Sequence, residues 1–307
     1  MEKRTIGAAL VKIFVILSLA LWSFHCSAQF ILNQEGEAFG QLPFFNENVI
    51  SGQRIKTIEG FYTYKKGNEA FKPSADVFRY RFNEAGQLIA SLEVVQKGTT
   101  KDSIFHHYAY FPDGQLSLHR FSAYGGALSE HYTYDSLGRL TVVALYRDVY
   151  DHRKDTLLSS VKMRTETLRY HQDEPADYTR YNNYQRPYLE VTKTFDKENY
   201  LSSVLTYYRI SQNSEKTNFK YDQNGLLANK STFADSTLTP KAEWRYRYDE
   251  WGNLIEMHQY ENGRFITDYQ IVYDYKTGFI GSLIKKNMST EQYQILRFTN
   301  YSYFPKH

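Results

Sequence analysis

The stretch that most constrains the fold is residues 132–140, YTYDSLGRL, because its pattern Tyr-x-Tyr-Asp-x-x-Gly-x-Leu recurs roughly every 24 to 30 residues along much of the chain. Tyr132 and Tyr134 are two positions apart, so they project from the same face of an extended strand. Asp135 favours the start of a type I turn, and Gly138 tolerates the positive φ that such a loop needs. The stretch therefore predicts a β-hairpin with a three-residue loop.

The loop also sets the register of the two strands. Tyr134 is expected to lie opposite Leu140, and Tyr132 opposite Val142. The same template fits further segments when their glycines are aligned, and one copy has asparagine at that position, which tolerates positive φ. A degenerate copy is expected near residues 168–171, where the spacing between copies doubles. The turn residues predicted by the template are Asn83, Gly86, Gly114, Asp135, Gly138, Asp196, Asn199, Asp222, Gly225, Asp249, Gly252, Asp274 and Gly278.

These Tyr-Asp-x-x-Gly-x-Leu copies, which are clear at residues 132–140, 219–227 and 246–254, resemble the YD repeats of the RHS-repeat superfamily. The resemblance covers about residues 76–280. It implies β-hairpins laid side by side in a long antiparallel sheet, which curls into a hollow shell in the large toxin and adhesion members. Neither a self-cleavage segment nor a toxin domain is recognised in this shorter chain, so toxin delivery is not expected. The expected fold is all-β: an elongated antiparallel β-hairpin repeat array, as an open, twisted or partly curled sheet, preceded by a signal-peptide helix.

Residues 1–28 are predicted to be a secretory signal peptide. A basic start is followed by an apolar run at residues 13–24 and by small residues up to Ala28, which predicts cleavage between Ala28 and Gln29. The apolar run is shorter than the roughly 20 residues that a membrane-spanning helix needs. A retained anchor is the alternative, and cleavage would leave no membrane span. The mature protein is therefore expected to be secreted or periplasmic, at the cell envelope.

The composition agrees with an exported β-protein. Aromatic residues make up 17% of the chain, with 28 Tyr and 20 Phe, and these residue types favour strands. Cys26 is the only cysteine, so cleavage after residue 28 would leave a mature chain without cysteine. Disulfides, thiolate catalysis and cysteine-ligated zinc are then all excluded. The formal net charge is only +3, which argues against nucleic acid as a partner.

The domain organisation follows from the repeats. After the signal peptide, residues 29–75 form an irregular lead-in or cap. Its first part, residues 29–48, is expected to be a loose arm, and residues 55–64 turn strand-like. Residues 76–307 hold the YD-type hairpins. The variable connections at residues 150–161 and 172–188 are expected to be solvated loops, although such loops often carry function.

Few residues suggest chemistry. The repeated aspartates already have turns to stabilise, and their spacing lacks the dense oxygen ligands of a calcium loop. His106 and His107 are adjacent on a strand, so they point to opposite faces and cannot jointly bind a metal. No nucleophile elbow, phosphate loop or His-Glu-x-x-His pattern is present in the sequence. No enzyme activity, metal or cofactor is therefore predicted.

Trp251 is the one residue singled out as a candidate ligand contact. It falls inside a predicted hairpin loop and should be exposed, where an indole ring can stack on a sugar or a partner side chain. Packing against a neighbouring loop is the favoured alternative for this side chain.

The function predicted from the sequence is a non-catalytic exported β-repeat scaffold that binds a protein or a cell-surface polysaccharide. One alternative is a carbohydrate-active or other hydrolase whose carboxylates are assembled on the sheet. Another is an outer-membrane or lipid-surface scaffold. The polar residues between the aromatic positions of the strands argue against a membrane-spanning barrel.

Overall fold

The computed structural model describes residues 31, 45–97, 99–123, 126–151, 156–172, 176–235 and 237–306. The predicted signal helix at residues 1–28, the cleavage point between Ala28 and Gln29, and most of the predicted loose arm lie outside the described residues.

The described chain is built almost entirely of strands. One short helix precedes them among the described residues. The elements are α1 (Glu47–Gly52), β1 (Ile55–Lys66), β2 (Lys72–Phe82), β3 (Leu88–Lys97), β4 (Thr100–Tyr110), β5 (Leu116–Ala123), β6 (Gly126–Tyr134), β7 (Leu140–Asp151), β8 (Thr156–Tyr170), β9 (Tyr178–Tyr181), β10 (Pro187–Phe195), β11 (Leu201–Tyr208), β12 (Asn213–Tyr221), β13 (Leu227–Ala234), β14 (Ala242–Tyr248), β15 (Leu254–Glu261), β16 (Arg264–Tyr273), β17 (Ile280–Asn287) and β18 (Gln292–Tyr303).

The strands form one closed antiparallel barrel of 18 strands. Each strand pairs with the next along the chain, and β18 returns to pair with β1, for example at Ile58 opposite Tyr301. The prediction of an all-β antiparallel hairpin array is confirmed, whereas the prediction of an open sheet is wrong. Closure depends on β1, which has the right length to pair with β18 on one side and β2 on the other, so neither end of the array is left as an edge.

The aromatic positions of the repeat supply most of the core. On β2, Phe78, Tyr80 and Phe82 are buried, while Arg79 and Arg81 between them are exposed. This alternation is what a sheet with one covered face requires. We call the covered side the aromatic face and the other side the arginine face. Further buried residues of the same cluster are Tyr62, Tyr108, Phe219, Tyr246, Met257, Tyr269, Leu283 and Phe298.

Helix α1 is seated on the turn between β2 and β3. Asn46 caps the helix, because its side-chain oxygen accepts hydrogen bonds from the backbone N–H groups of the first turn. Phe45 packs edge-on against Tyr80, with ring centroids 5.1 Å apart. A Cβ on Gly86 would lie 2.0 Å from the backbone oxygen of Glu47, so only glycine allows this approach. The sequence did not predict this helix, since its expected arm extended to about residue 48.

The hairpin turns follow the geometry expected from the repeat. The Asp135 side chain accepts hydrogen bonds of 2.9 Å from the backbone N–H groups of Leu137 and Arg139. Gly138 has φ of +77°. The register differs by one residue from the prediction: Tyr132 lies opposite Val143, not Val142, whereas Tyr134 does lie opposite Leu140. The cause is a β-bulge beside Tyr134, which leaves one residue of β7 out of the ladder.

Two predicted connections contain strands. The charged segment predicted as a loop at residues 150–161 is largely the ends of β7 and β8. The segment at residues 172–188 contains β9, which has only four residues, and a further turn at residues 182–186. In that turn Asn182 takes the place of the aspartate and Gln185 adopts φ of +57°. Because both residues depart from the template, the sequence pattern missed this hairpin.

Candidate ligand-binding groove

A groove crosses the arginine face of strands β2, β3 and β4. Two cross-strand rows define it. Arg79 lies opposite Leu92, and Leu92 lies opposite Phe105. In the next row Arg81 lies opposite Ala90, which in turn lies opposite His107. Residues directly opposite one another in antiparallel strands project from the same face, so the rows place cationic side chains beside apolar ones.

The groove opens because β4 and β5 separate. Their ladder ends with His106 opposite Phe121. Beyond that point the backbone N–H of Phe105 donates a 2.9 Å hydrogen bond to the Ser122 side chain instead of to a strand partner. The following hairpin residues, Ala123 and Gly126, are small. The side-chain bond satisfies the freed N–H, and the small residues leave space beside it.

This groove, called the arginine groove below, has a volume of about 890 Å³. Its floor is apolar, and the Phe105 side chain within it is buried. Serine hydroxyls stand beside the floor. The lining residues are Arg79, Arg81, Ala90, Ser91, Leu92, Asp102, Ser103, Ile104, Phe105, His107, Ser122, Ala123 and Gly126.

The two arginines of the groove have different surroundings. Arg79 forms an ion pair of 2.5 Å with Glu59 on β1, so part of its charge is already balanced. Arg81 lies between two neutral cross-strand neighbours, Thr57 and Ala90. The exposed Arg81 guanidinium is therefore the group best placed to pair with an anionic ligand. A guanidinium can bind a carboxylate through two parallel hydrogen bonds.

A buried ion pair supports the sheet next to the groove. Arg120, opposite His107, places its Nε 2.7 Å from a carboxylate oxygen of Asp148, and Ser160 donates a 2.6 Å hydrogen bond to the other oxygen. Burial alone would raise the pKa of Asp148, but the hydrogen bonds from Ser160 and Arg120 more than compensate and lower it. Because Arg120 is neutralised and buried, its role is structural.

A histidine pair lies on the opposite, aromatic face. The Nδ1 of His106 is 2.9 Å from the Nε2 of His119, and the two rings stack. Burial, together with the neighbouring His119 and His107, lowers the pKa of His106 to about 4. The sequence separated His106 from His107 correctly by face, but it missed the pairing with His119, which depends on strand register. Within the part of the chain that the structure describes, no cluster of three or more His, Cys, Asp or Glu residues could hold a metal ion.

The residues predicted from the sequence lie elsewhere. The predicted turn residues of the repeats fall in the turns between strands, where their side chains and backbone close the loops. Trp251 is 65% exposed in its hairpin turn, and its backbone N–H donates to Asp249. Neither Trp251 nor a predicted turn residue is among the described lining of the arginine groove. The alternating arginines of β2 were visible in the sequence as outward positions, but nothing in the pattern marked them as a site.

No helix among the described residues combines the length and the apolar character needed to span a membrane.

No family model matches the chain, and no curated protein matches it. Among solved structures, a porin-like protein from Bacteroides uniformis is similar over 81% of this chain and 98% of its own, with 12% identity and a TM-score of 0.38. The TcdB2-TccC3-Cdc42 structure is similar over 80% of this chain and 17% of its own, with 13% identity and a TM-score of 0.29. A LolA-superfamily protein from Nitrosomonas europaea is similar over 85% of this chain and 91% of its own, with 11% identity and a TM-score of 0.20. At these values the neighbours define neither a family nor an activity for this chain.

Proposed function

We propose that this chain is an exported, non-catalytic YD-type β-barrel that binds a polysaccharide with acidic sugars in the arginine groove. The observation that carries the proposal is the row of Arg81, Ala90 and His107 beside the row of Arg79, Leu92 and Phe105. A cationic wall next to an apolar floor matches a sugar acid, which has a carboxylate on one edge and a face of C–H groups.

The chemistry of the lining supports a carbohydrate rather than a purely apolar ligand. Arg81 can pair with a uronate carboxylate, and the hydroxyls of Ser103 and Ser122 lie in the same lining. The C–H face of a sugar ring can rest on Leu92, which is exposed beside the buried Phe105. The groove is open along the sheet, so a polymer can pass through it without an end being inserted.

The remaining parts of the proposal come from the sequence. Export is supported by the basic, apolar and small-residue pattern of residues 1–28. Assignment to the YD-repeat group is supported by the repeated turns, such as Asp135 to Gly138. A protein partner stays a prediction. For the hydrolase alternative, two carboxylates about 5 to 9.5 Å apart are needed. The described lining of the groove includes one carboxylate, Asp102, so the groove does not supply that pair.

The test is binding of the full chain to polygalacturonate, a polymer of a uronic acid, compared with neutral dextran. Affinity electrophoresis and calorimetry at low salt measure the interaction. We expect retention by polygalacturonate alone, with affinity that falls as salt rises, because the ion pairs are at the surface. Arg81→Ala should weaken binding by about tenfold, since a hydrogen-bonded charge pair contributes about 1.5 to 3 kcal/mol.

Arg247→Ala is the matched control. Arg247 is an exposed arginine of the arginine face on β14, where it pairs with Glu256 at 2.6 Å, and it does not belong to the groove lining. Its removal takes away the same charge and should leave binding nearly unchanged. The proposal is contradicted if polygalacturonate does not bind, or if Arg81→Ala and Arg247→Ala weaken binding equally.

A further inference from the structure

Strand β8 has an edge that no described strand covers. Over residues 156–166 it pairs with β7, but pairing with β9 is confined to residues 167–170. The reason is the short β9, after which the chain turns back at residues 182–186 and continues as β10. An uncovered strand edge presents backbone N–H and C=O groups that can pair with another extended chain.

The side chains along this edge are unusually apolar for an exposed strand. The exposed fractions are 63% for Leu158, 66% for Val161 and 52% for Met163, and Leu157 is also exposed. Soluble proteins commonly protect an edge with charged side chains. The exposed apolar groups therefore favour an edge that becomes covered by a partner.

The sequence of the edge allows it to pair with a second copy in antiparallel orientation without like charges facing each other. With a two-fold axis at Val161, Ser160 faces Lys162 of the other copy, Leu158 faces Arg164, and Thr156 faces Glu166. Each charged residue then lies opposite a neutral one. An axis at Lys162 would place this lysine opposite itself, which is unfavourable. The register shifts of β8 against β7 occur beside Leu158 and Met163, so residues 159–162 between them form the regular centre.

We propose that two copies of this chain associate through antiparallel pairing of their β8 edges, with the two-fold axis at Val161. The pairing continues each barrel wall across the interface and covers the exposed apolar side chains of both copies. Such an interface is isologous, because the same segment of each copy supplies both sides. The small net charge of the chain, +3, gives little repulsion between the copies.

The first test is sedimentation velocity on the full chain at tens of micromolar. We expect a dimer for the wild type and a monomer for Val161→Lys, because two lysines would then meet on the axis. The dissociation constant of the dimer should rise at least about tenfold, which corresponds to 1.4 kcal/mol. Circular dichroism checks that the variant remains folded.

Val149→Lys is the matched control. Val149 lies on β7, opposite Ser159, and is 50% exposed, so the variant adds the same charge one strand behind the edge. It should remain a dimer. The proposal is overturned if the wild type sediments as a monomer, or if both lysine variants dissociate equally.

A cysteine test probes the axis itself. Cys26 is the sole cysteine, so the background variant Cys26→Ser contains no thiol. Adding Val161→Cys should give a disulfide-linked dimer on mild oxidation, because the introduced thiols of the two copies would face each other across the axis. Adding Thr165→Cys instead should give little cross-linking, because the axis places that position opposite Leu157. Equal cross-linking of the two variants would refute the proposed register.

Discussion

The hydroxyl of Tyr134 donates a 2.9 Å hydrogen bond to the backbone carbonyl of Leu116, which belongs to the preceding hairpin. Tyr134 is the second tyrosine of its repeat, and Leu116 is the leucine that ends the repeat before it. The bond therefore joins two positions of the template that the sequence pattern records separately. It explains the tyrosine before the turn, whereas its acceptor is a backbone carbonyl and so sets no requirement for the leucine side chain.

The same bond recurs around the barrel. Its length ranges from 2.7 Å for Tyr301 to Ile280 up to 3.1 Å for Tyr170 to Leu140. Partial burial raises the pKa of Tyr273 and Tyr301, so the hydroxyls of these two tyrosines keep the proton that is donated. The other pairs are Tyr110 with Leu88, Tyr221 with Leu201, Tyr248 with Leu227, and Tyr273 with Leu254.

Tyr134→Phe should destabilise the fold by about 1 to 2 kcal/mol, because it removes the hydrogen bond and leaves the Leu116 carbonyl without this donor. Urea unfolding monitored by circular dichroism measures the change. Tyr275→Phe is the control, since Tyr275 lies in an exposed turn and its substitution should change stability by less than about 0.5 kcal/mol. If the two variants were equally stable, the Tyr134 hydrogen bond would not contribute measurably to the stability of the fold.

The sequence predicted the hairpins well because their signals are local. The aspartate, glycine and alternating tyrosines of residues 132–140 act within a few residues of one another, so one copy already defines a strand, a turn and a returning strand. The degenerate copy near residues 168–171 also fits, since Tyr170 makes the same bond to Leu140. Closure could not be predicted in this way, because it depends on the pairing of β1 with β18 across almost the whole chain.

Gly60 should be indispensable at the seam between β1 and β18. A Cβ at this position would lie 1.9 Å from the backbone oxygen of Arg297 and 2.4 Å from the Phe78 ring. We expect Gly60→Ala to cost about 2 kcal/mol or more, because an overpacked core costs about 1 to 3 kcal/mol. The midpoint of urea unfolding reports this loss.

Gly281→Ala is the strand control for this prediction. A Cβ at Gly281 would have its nearest contact at 3.4 Å, the Val272 backbone oxygen, which is close to ordinary packing. Its free energy of unfolding should change by less than about 1 kcal/mol. If Gly60→Ala were as stable as Gly281→Ala, the close approach of β18 to β1 would be disproved.

The arginine groove and the histidine pair also could not be predicted from the sequence. His107 and Arg81 are distant in the chain and lie in one cross-strand row only because Ala90 of β3 pairs with both of them. His106 likewise reaches His119 through the register of β4 and β5. Each residue on its own resembles a common surface or core residue, so its role follows from register and from the separation of β4 from β5.

Stability should fall as the pH drops from about 6.5 towards 4. In the folded protein, burial and the neighbouring histidines lower the pKa of His106 to about 4, whereas an unfolded histidine has a pKa near 6.5. Between these values the unfolded chain binds a proton that the folded chain does not, so protonation favours unfolding. The stabilising contribution of neutral His106 to the free energy of unfolding is therefore fully present only above about pH 6.5. Thermal unfolding of the wild type and His106→Gln at pH 7.5 and pH 5 measures it.

The variant should lose less stability than the wild type on going from pH 7.5 to pH 5. Between pH 7.5 and pH 8.5 the two proteins should respond alike, because His106 is neutral in both the folded and the unfolded chain over that range. An identical acid response of the two proteins would rule out His106 as the group responsible.

Closure of the barrel is tested most directly by a disulfide across the seam. Thr57 on β1 lies opposite Ser302 on β18, and their side-chain oxygens are 2.6 Å apart. In the Cys26→Ser background, Thr57→Cys combined with Ser302→Cys should form an intramolecular disulfide under mild oxidation, identified by peptide mass spectrometry. The control combines Thr57→Cys with Thr217→Cys on β12, which does not pair with β1, and should keep free thiols. Free thiols in the Thr57 and Ser302 variant, or cross-links only between molecules, would show that the hairpin array does not close.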